Sequence, residues 1–218
     1  MPAIASSLPR LAGLSALLLS LCAAADTLTI TVEAKQSGKP ISDAVVTIPG
    51  SGAPPPGKYT IAQNGRAFQP QVLTVPVGSE INFPNKDDTQ HHVYSFSPAK
   101  TFDIELYAGK PESPIHFDKP GIVELGCNIH DHMQGFVIVT KRPHYGRTDK
   151  NGQVRFEHSA FPEGQPITAR VWHPQLKDTT QFRKAAVTRE TTRVTLALRP
   201  EPAPDEELDQ LQQEFNNL

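Results

Sequence analysis

Cysteine is scarce in this sequence, because the 218 residues include only Cys22 and Cys127. Cys22 lies in an apolar N-terminal segment that we expect to be removed, which leaves Cys127 without a partner in the mature chain. Exported proteins usually pair their cysteines, because their compartment is oxidising. A lone cysteine there is a buried inert thiol, half of an intermolecular bridge, or a metal ligand.

An excess of charge is also absent, since 21 basic residues stand against 23 acidic ones and the formal net charge is −2. The chain has no basic block and no long basic amphipathic helix, which disfavours nucleic acid as a partner. It also lacks the G-x-S-x-G motif, the H-E-x-x-H motif and a Gly-rich phosphate loop. We therefore predict that the protein is not an enzyme.

The one long apolar run follows Arg10 and covers residues 11–22. The small residues Ala23, Ala24 and Ala25 follow it, as a signal peptidase requires, and the run is short for a transmembrane helix. We expect a signal peptide over residues 1–25, export to the periplasm, and no stable membrane span after cleavage. The alternative is an uncleaved membrane anchor.

Helical periodicity is almost missing after Asp26. Residues 27–34 alternate polar and apolar side chains, which is typical of a half-buried strand. Similar short segments recur between Gly, Pro, Asn and Asp turns, and residues 149–152 predict a hairpin turn. The predicted strands cover residues 27–34, 44–48, 71–77, 79–83, 92–96, 121–126, 136–140, 154–157, 167–172 and 192–198. This spacing indicates an all-β protein, and residues 200–218 predict an acidic tail or a short helix.

One segment carries the chemistry. Cys127, His130 and Met133 have the spacing C-x2-H-x2-M and lead directly into an alternating apolar strand. A tight loop between two strands can turn a thiolate, an imidazole and a thioether toward one point. Two histidines, one cysteine and a weak axial methionine are the ligands of a blue copper site. The second histidine must come from elsewhere, and His91 or His92 at the start of a strand can supply it.

This region resembles the plastocyanin- and amicyanin-type cupredoxins, including the M-x-G-x-V-x-V strand after the loop. It is still more similar to exported proteins with a Cys-Asn-Ile-His-Asp-His-Met loop, described as plastocyanin-like or methylamine-utilisation-like. The resemblance covers roughly residues 71–140. It implies a Greek-key cupredoxin sandwich or barrel that binds one copper ion, cycling between Cu(I) and Cu(II). The implied ligands are His91, Cys127, His130 and the axial Met133, and Asn85 braces the ligand loops by hydrogen bonds.

The loop departs from the amicyanin pattern, because it has no proline around His130. A more mobile loop leaves His132 or His92 as alternative ligands. Family position favours His91 over His92, and strand alternation points the two in opposite directions. Two simpler interpretations also remain open. Cys127 can be a buried inert thiol and Met133 can be core filler, because both residue types pack well in apolar interiors.

The segments on either side resemble the two halves of a transthyretin-like or carboxypeptidase-regulatory-like β-sandwich, a second small immunoglobulin-like unit. The first half lies in residues 26–50 and the second in residues 141–199, with the cupredoxin domain over 58–140. We predict that the cupredoxin domain is inserted between the second and third strands of this sandwich. The alternative is that the N-terminal strands simply extend the cupredoxin sheet.

These patterns together predict an exported type 1 copper protein that transfers single electrons. The expected partner is a redox protein or a copper-handling protein of the cell envelope. Two alternatives belong to other classes. One is a periplasmic copper carrier or buffer, and the other is a β-sandwich interaction module in which copper binding is incidental.

Overall fold

The computed structural model describes residues 27–111, 113–157, 160, 165–189 and 191–200. The predicted signal peptide over 1–25 and nearly all of the predicted tail over 200–218 lie outside these residues. Within the part of the chain that the structure describes, no helix has the length and apolar composition of a membrane span.

The described residues form strands, numbered here in chain order. The first nine are β1 (Thr27–Ala34), β2 (Val45–Ile48), β3 (Lys58–Thr60), β4 (Ala62–Gln63), β5 (Phe68–Gln69), β6 (Val72–Pro76), β7 (Ser79–Asn82), β8 (His91–Ser97) and β9 (Lys100–Tyr107). The others are β10 (Ile115–Phe117), β11 (Gly121–Cys127), β12 (Gln134–Thr140), β13 (His144–Arg147), β14 (Gln153–Glu157), β15 (Ile167–Trp172), β16 (Arg183–Val187) and β17 (Arg193–Leu196). The predicted all-β class is confirmed.

The middle of the chain, residues 58–140, forms what we call the central lobe. Its main sheet has the order β6-β12-β11-β8-β9, and a smaller sheet has the order β10-β7-β3. Along β11 the buried positions alternate as Val123, Leu125 and Cys127. Because side chains of a strand point to opposite faces in turn, the thiol of Cys127 faces the same interior as the two aliphatic side chains before it.

The chain on both sides of the central lobe forms a second unit, which we call the flanking lobe. Its two sheets have the orders β14-β1-β17 and β13-β2-β15-β16. In the second sheet Val46 lies opposite Val171, and Val45 lies opposite Trp172. The N-terminal strands therefore pair with C-terminal strands and not with the central sheet. This pairing favours the insertion hypothesis over the extension alternative.

Strand β12 connects the cores of the two lobes, because it is buried on both faces. Val137 and Val139 pack in the central core, whereas Phe136 and Ile138 pack in the core of the flanking lobe. The rings of Phe136 and Trp172 meet edge to face with centroids 4.8 Å apart. Both cores therefore pack against strand β12, which follows the loop after Cys127.

The predicted hairpin at residues 149–152 is wrong in one respect. The turn exists, and the amide of Gly152 donates to the carbonyl of Asp149 at 2.8 Å. However, the strands that it joins, β13 and β14, belong to different sheets of the flanking lobe. The turn therefore passes the chain from one layer of the sandwich to the other.

Candidate metal centre

Cys127 closes β11 and lies at the edge of the central core. It pairs with Val93 on β8, and its side chain is 3% exposed. The neighbouring Gly126 makes room for an aromatic ring, because a Cβ there would lie 2.7 Å from the ring of Tyr94. The sulfur is thus held at the end of a regular strand, directly before the loop.

His91 begins β8 two residues before Val93, so alternation places it on the same face as that residue. The imidazole is fully buried. Its Nε2 lies 2.8 Å from Oδ2 of Asp87, and an ionised carboxylate only accepts hydrogen bonds. The Nε2–H group is therefore the donor, and in the neutral imidazole Nδ1 keeps a free lone pair. That Nδ1 lies 3.7 Å from Sγ of Cys127.

His130 reaches the same sulfur from the loop between β11 and β12. Its Nδ1 lies 3.9 Å from Sγ of Cys127, and its ring centroid is 5.0 Å from that of His91. Burial lowers the pKa of His130 below the usual value, and the neighbouring His91 adds to this effect. The shift favours the neutral imidazole, which is the form that binds metals.

One ligand atom each of His91, Cys127 and His130 lies within 4.8 Å of the other two. An ion bonded to sulfur at about 2.3 Å and to nitrogen at about 2.0 Å, as zinc is in proteins, places the sulfur about 3.7 Å from each nitrogen at a trigonal angle. The two sulfur–nitrogen distances, 3.7 and 3.9 Å, fit that arrangement. A thiol proton satisfies at most one of the two nitrogens, whereas one metal ion satisfies all three atoms.

Met133 ends the loop. Its amide donates to the carbonyl of His130 at 2.9 Å, which closes a tight turn between the two residues. The side chain is 2% exposed and packs in the same buried cluster as Cys127. This position agrees both with an axial ligand and with the packing role that the sequence left open.

The two alternative histidines lie outside this group. His92 points to the other face of β8, where its Nε2 hydrogen-bonds Oδ1 of Asp103 on β9. His132 is exposed, and its ring centroid lies 6.0 Å from that of His130. His91, and neither of these two, shares the centre with Cys127 and His130.

Asn85 is buried in the segment that precedes His91. Its Nδ2 donates to the carbonyls of Thr89 at 2.8 Å and Tyr107 at 3.0 Å. Its Oδ1 accepts from the amide of Asp87 at 2.9 Å. These bonds tie the segment before His91 to the end of β9.

Asp87 is the site residue that sequence reasoning missed. Besides His91, its carboxylate accepts the amides of Gly65 at 2.6 Å and Arg66 at 2.9 Å. The bond from Arg66 is the largest influence that holds the pKa of Asp87 below its usual range, and burial opposes it. An acidic residue four positions before a histidine is too common in loops to have marked this contact.

No family model matches this chain, and no curated protein matches it. Solved structures do match. A Cu-containing nitrite reductase from Thermus scotoductus is 28% identical over 40% of this chain and 23% of its own, with a TM-score of 0.36. A purple cupredoxin from Nitrosopumilus maritimus is 20% identical over 38% of this chain and 99% of its own, with a TM-score of 0.34. Amicyanin from Paracoccus versutus is 18% identical over 44% of this chain and 97% of its own, with a TM-score of 0.35.

Cupredoxins are among the structural relatives, and the group formed by His91, Cys127 and His130 is compatible with the cupredoxin resemblance seen in the sequence. The matched part is less than a quarter of the nitrite reductase. Each TM-score is below 0.5, so the function proposed next rests on the geometry of the group itself.

Proposed function

We propose that this chain is an exported type 1 copper protein that transfers single electrons through one mononuclear site. The proposed ligands are His91, Cys127, His130 and, axially, Met133. The observation that carries the proposal is the convergence of two imidazole nitrogens on one buried sulfur, at 3.7 and 3.9 Å.

Copper suits this group better than zinc does. Thiolate and thioether sulfur are soft ligands, and a trigonal pair of histidines with one cysteine and a distant methionine is the arrangement of blue copper centres. Structural zinc sites are instead tetrahedral, with four strong ligands. The proposed set offers three strong ligands and a weak fourth.

We infer electron transfer because the four proposed ligands are all protein atoms and fill every coordination position of the ion. Catalytic metal sites keep a position open for water or substrate. A bound copper ion supplies a one-electron couple, Cu(I) and Cu(II). Cys127 lies at the end of a strand, and His91 is hydrogen-bonded to the carboxylate of Asp87. The ligands therefore need little rearrangement when the copper ion changes oxidation state. His130 is partly exposed beside Ile129, which is 44% exposed, and gives the electron a short way out.

We place the protein in the periplasm with a redox partner of the cell envelope. The support for export is the apolar run over residues 11–22 followed by three alanines. The flanking lobe packs against β12 of the sheet that carries Cys127, and Ile129, Asp131 and His132 of the loop are exposed.

The test is titration of the purified exported protein with Cu(II), followed by visible absorption. We expect an intense thiolate-to-copper band that saturates at one ion per chain and a reversible one-electron wave in voltammetry. The variant Cys127→Ser should lose the band, and His92→Ala should keep it. A band that survives in Cys127→Ser, or a weak tetragonal copper spectrum that depends on His92, contradicts the proposal.

One observation favours copper carriage as a second candidate. The exposed ring of His132 lies beside that of His130, and a second surface imidazole offers an ion a route to another protein. Exchange kinetics separate the two functions. Rapid transfer of Cu(I) to a chelator, slowed in His132→Ala, indicates a carrier, whereas slow exchange with a reversible potential indicates electron transfer.

A further inference from the structure

The carboxylate of Asp87 joins two parts of the chain that the sequence keeps apart. Oδ1 accepts the amide of Gly65 at 2.6 Å. Oδ2 accepts the amide of Arg66 at 2.9 Å and faces Nε2 of His91 at 2.8 Å. One side chain thus holds the tip of the β4–β5 hairpin and the ring of a proposed copper ligand.

The hairpin tip is shaped to meet this carboxylate. Gly65 and Arg66 both have positive φ angles, 63° and 55°, and their successive amides point to one anion. Such a conformation is uncommon for arginine, which indicates that the surrounding contacts hold it. At the base of the hairpin the buried Phe68 packs against Gly135, where a Cβ would lie 3.0 Å away. The hairpin therefore reaches from Asp87, the partner of His91, to the start of strand β12.

We propose that Asp87 is a positioning residue that fixes the tautomer of His91 and lowers the reduction potential of the copper site. The inference rests on the proposed function, since it takes His91 as a ligand. Because the carboxylate accepts a hydrogen bond from Nε2, the neutral ring keeps its proton on Nε2, and its Nδ1 lone pair faces Cys127. A carboxylate partner also raises the basicity of the imidazole, and its negative charge stabilises Cu(II) more than Cu(I).

The variant Asp87→Asn tests this directly, because asparagine has the same shape. The carboxylate presents two accepting oxygens to three N–H donors. An amide has one accepting oxygen and one NH2 group, so either orientation sets the NH2 against a donor. The substitution removes the charge, and in the orientation that turns the NH2 group toward His91 it removes the acceptor of that ring as well.

We expect Asp87→Asn to weaken Cu(II) binding about 10- to 100-fold, the usual effect of losing the partner of a metal-bound histidine. Cu(I) binding should change much less. The potential should then rise by about 59 mV for each tenfold loss. Asp87→Glu keeps the charge but displaces it. Its potential should lie between those of the wild-type protein and Asp87→Asn.

A second readout needs no metal. In the metal-free wild-type protein, ¹⁵N NMR should show His91 protonated on Nε2 and not on Nδ1. In Asp87→Asn the ring should populate both tautomers, and the amides of Gly65 and Arg66 should exchange with solvent faster. If Asp87→Asn fails to fold, the wild-type ring still decides the question, because a neutral ring with its proton on Nδ1 overturns the proposal.

Two matched variants control for the loss of a carboxylate. Asp149 accepts the amides of Asn151 and Gln153 at 2.9 Å each in a turn of the flanking lobe. Asp103 is the partner of His92, outside the proposed ligand set. Asp149→Asn and Asp103→Asn should leave the potential and the His91 tautomer unchanged.

The outcomes are distinguishable from failure of the proposed function. A wild-type protein that never shows a thiolate-to-copper band refutes the copper function, while the tautomer measurement still decides the positioning of His91. A normal band whose potential and tautomer are the same in wild type and Asp87→Asn refutes the role of Asp87. A potential shift as large in Asp103→Asn as in Asp87→Asn refutes it as well.

Discussion

Replacing Phe136 by alanine removes the larger of the two β12 side chains that pack into the flanking lobe. Phe136 is fully buried and meets Trp172 edge to face, with ring centroids 4.8 Å apart. Trp172 is buried as well, and its Nε1 donates to the carbonyl of Thr179 at 2.8 Å. The indole therefore has little freedom to fill the space that the ring leaves.

Substitutions of this kind cost about 3–5 kcal/mol of the free energy of unfolding, because transfer and cavity contributions add. The aromatic pair contributes about 0.5–1.5 kcal/mol of this total. Such a loss is a large fraction of the usual stability of a domain, about 5–15 kcal/mol. Val137→Ala on the same strand is the matched control. It opens the central core instead and should cost about 2 kcal/mol, from two methyl groups.

Urea unfolding followed by tryptophan emission and by circular dichroism measures both effects. Trp172 is the single tryptophan of the chain, so the emission reports on the flanking lobe alone. We expect Phe136→Ala to shift the emission to the red and Val137→Ala to leave it unchanged. A loss below about 1 kcal/mol in Phe136→Ala, far under the usual cost of such a substitution, with unchanged emission would show that β12 does not join the two cores.

Two further predictions concern the flanking lobe. The buried hydroxyl of Thr148 donates to the carbonyl of Ile41 at 2.6 Å and accepts the amide of Ala44 at 2.9 Å. Thr148→Val should therefore lose about 1–3 kcal/mol in urea unfolding, whereas Thr148→Ser should stay close to wild type, and equal stabilities would refute this role. Burial, with the nearby Tyr59, raises the pKa of Tyr145 above its usual value of 10.0. The folded state then keeps this proton longer than the unfolded state, so stability should fall as pH rises above about 10, and Tyr145→Phe should show a smaller alkaline loss in unfolding midpoints.

The strands that the sequence predicted are mostly those with a buried apolar face. Residues 27–34 and 167–172 were predicted with the bounds that the structure gives to β1 and β15. Five of the missed strands, β3, β9, β10, β13 and β16, lie at sheet edges. Edge strands are short or carry charged residues, as β9 does at Asp103 and Glu105, so their apolar pattern is weak. The missed strands β4 and β5 have two residues each.

In the candidate site, contacts between residues close in the sequence could be predicted, whereas contacts between distant residues could not. The placement of His130 and Met133 near Cys127 follows from a spacing that fits one tight loop, and it could be predicted. Strand alternation separates His91 from His92 but does not by itself say which one faces the sulfur. The contact of Asp87 with the hairpin depends on two very short strands and on the fold of the whole loop, and no pattern in the sequence marked it.

The most direct measurement of the central claim is X-ray absorption at the copper edge on the copper-loaded exported protein. The proposed geometry predicts one short bond to sulfur and two bonds to imidazole nitrogen. The sulfur contribution should disappear in Cys127→Ser. A first coordination sphere made only of nitrogen and oxygen in the wild-type protein would contradict the account.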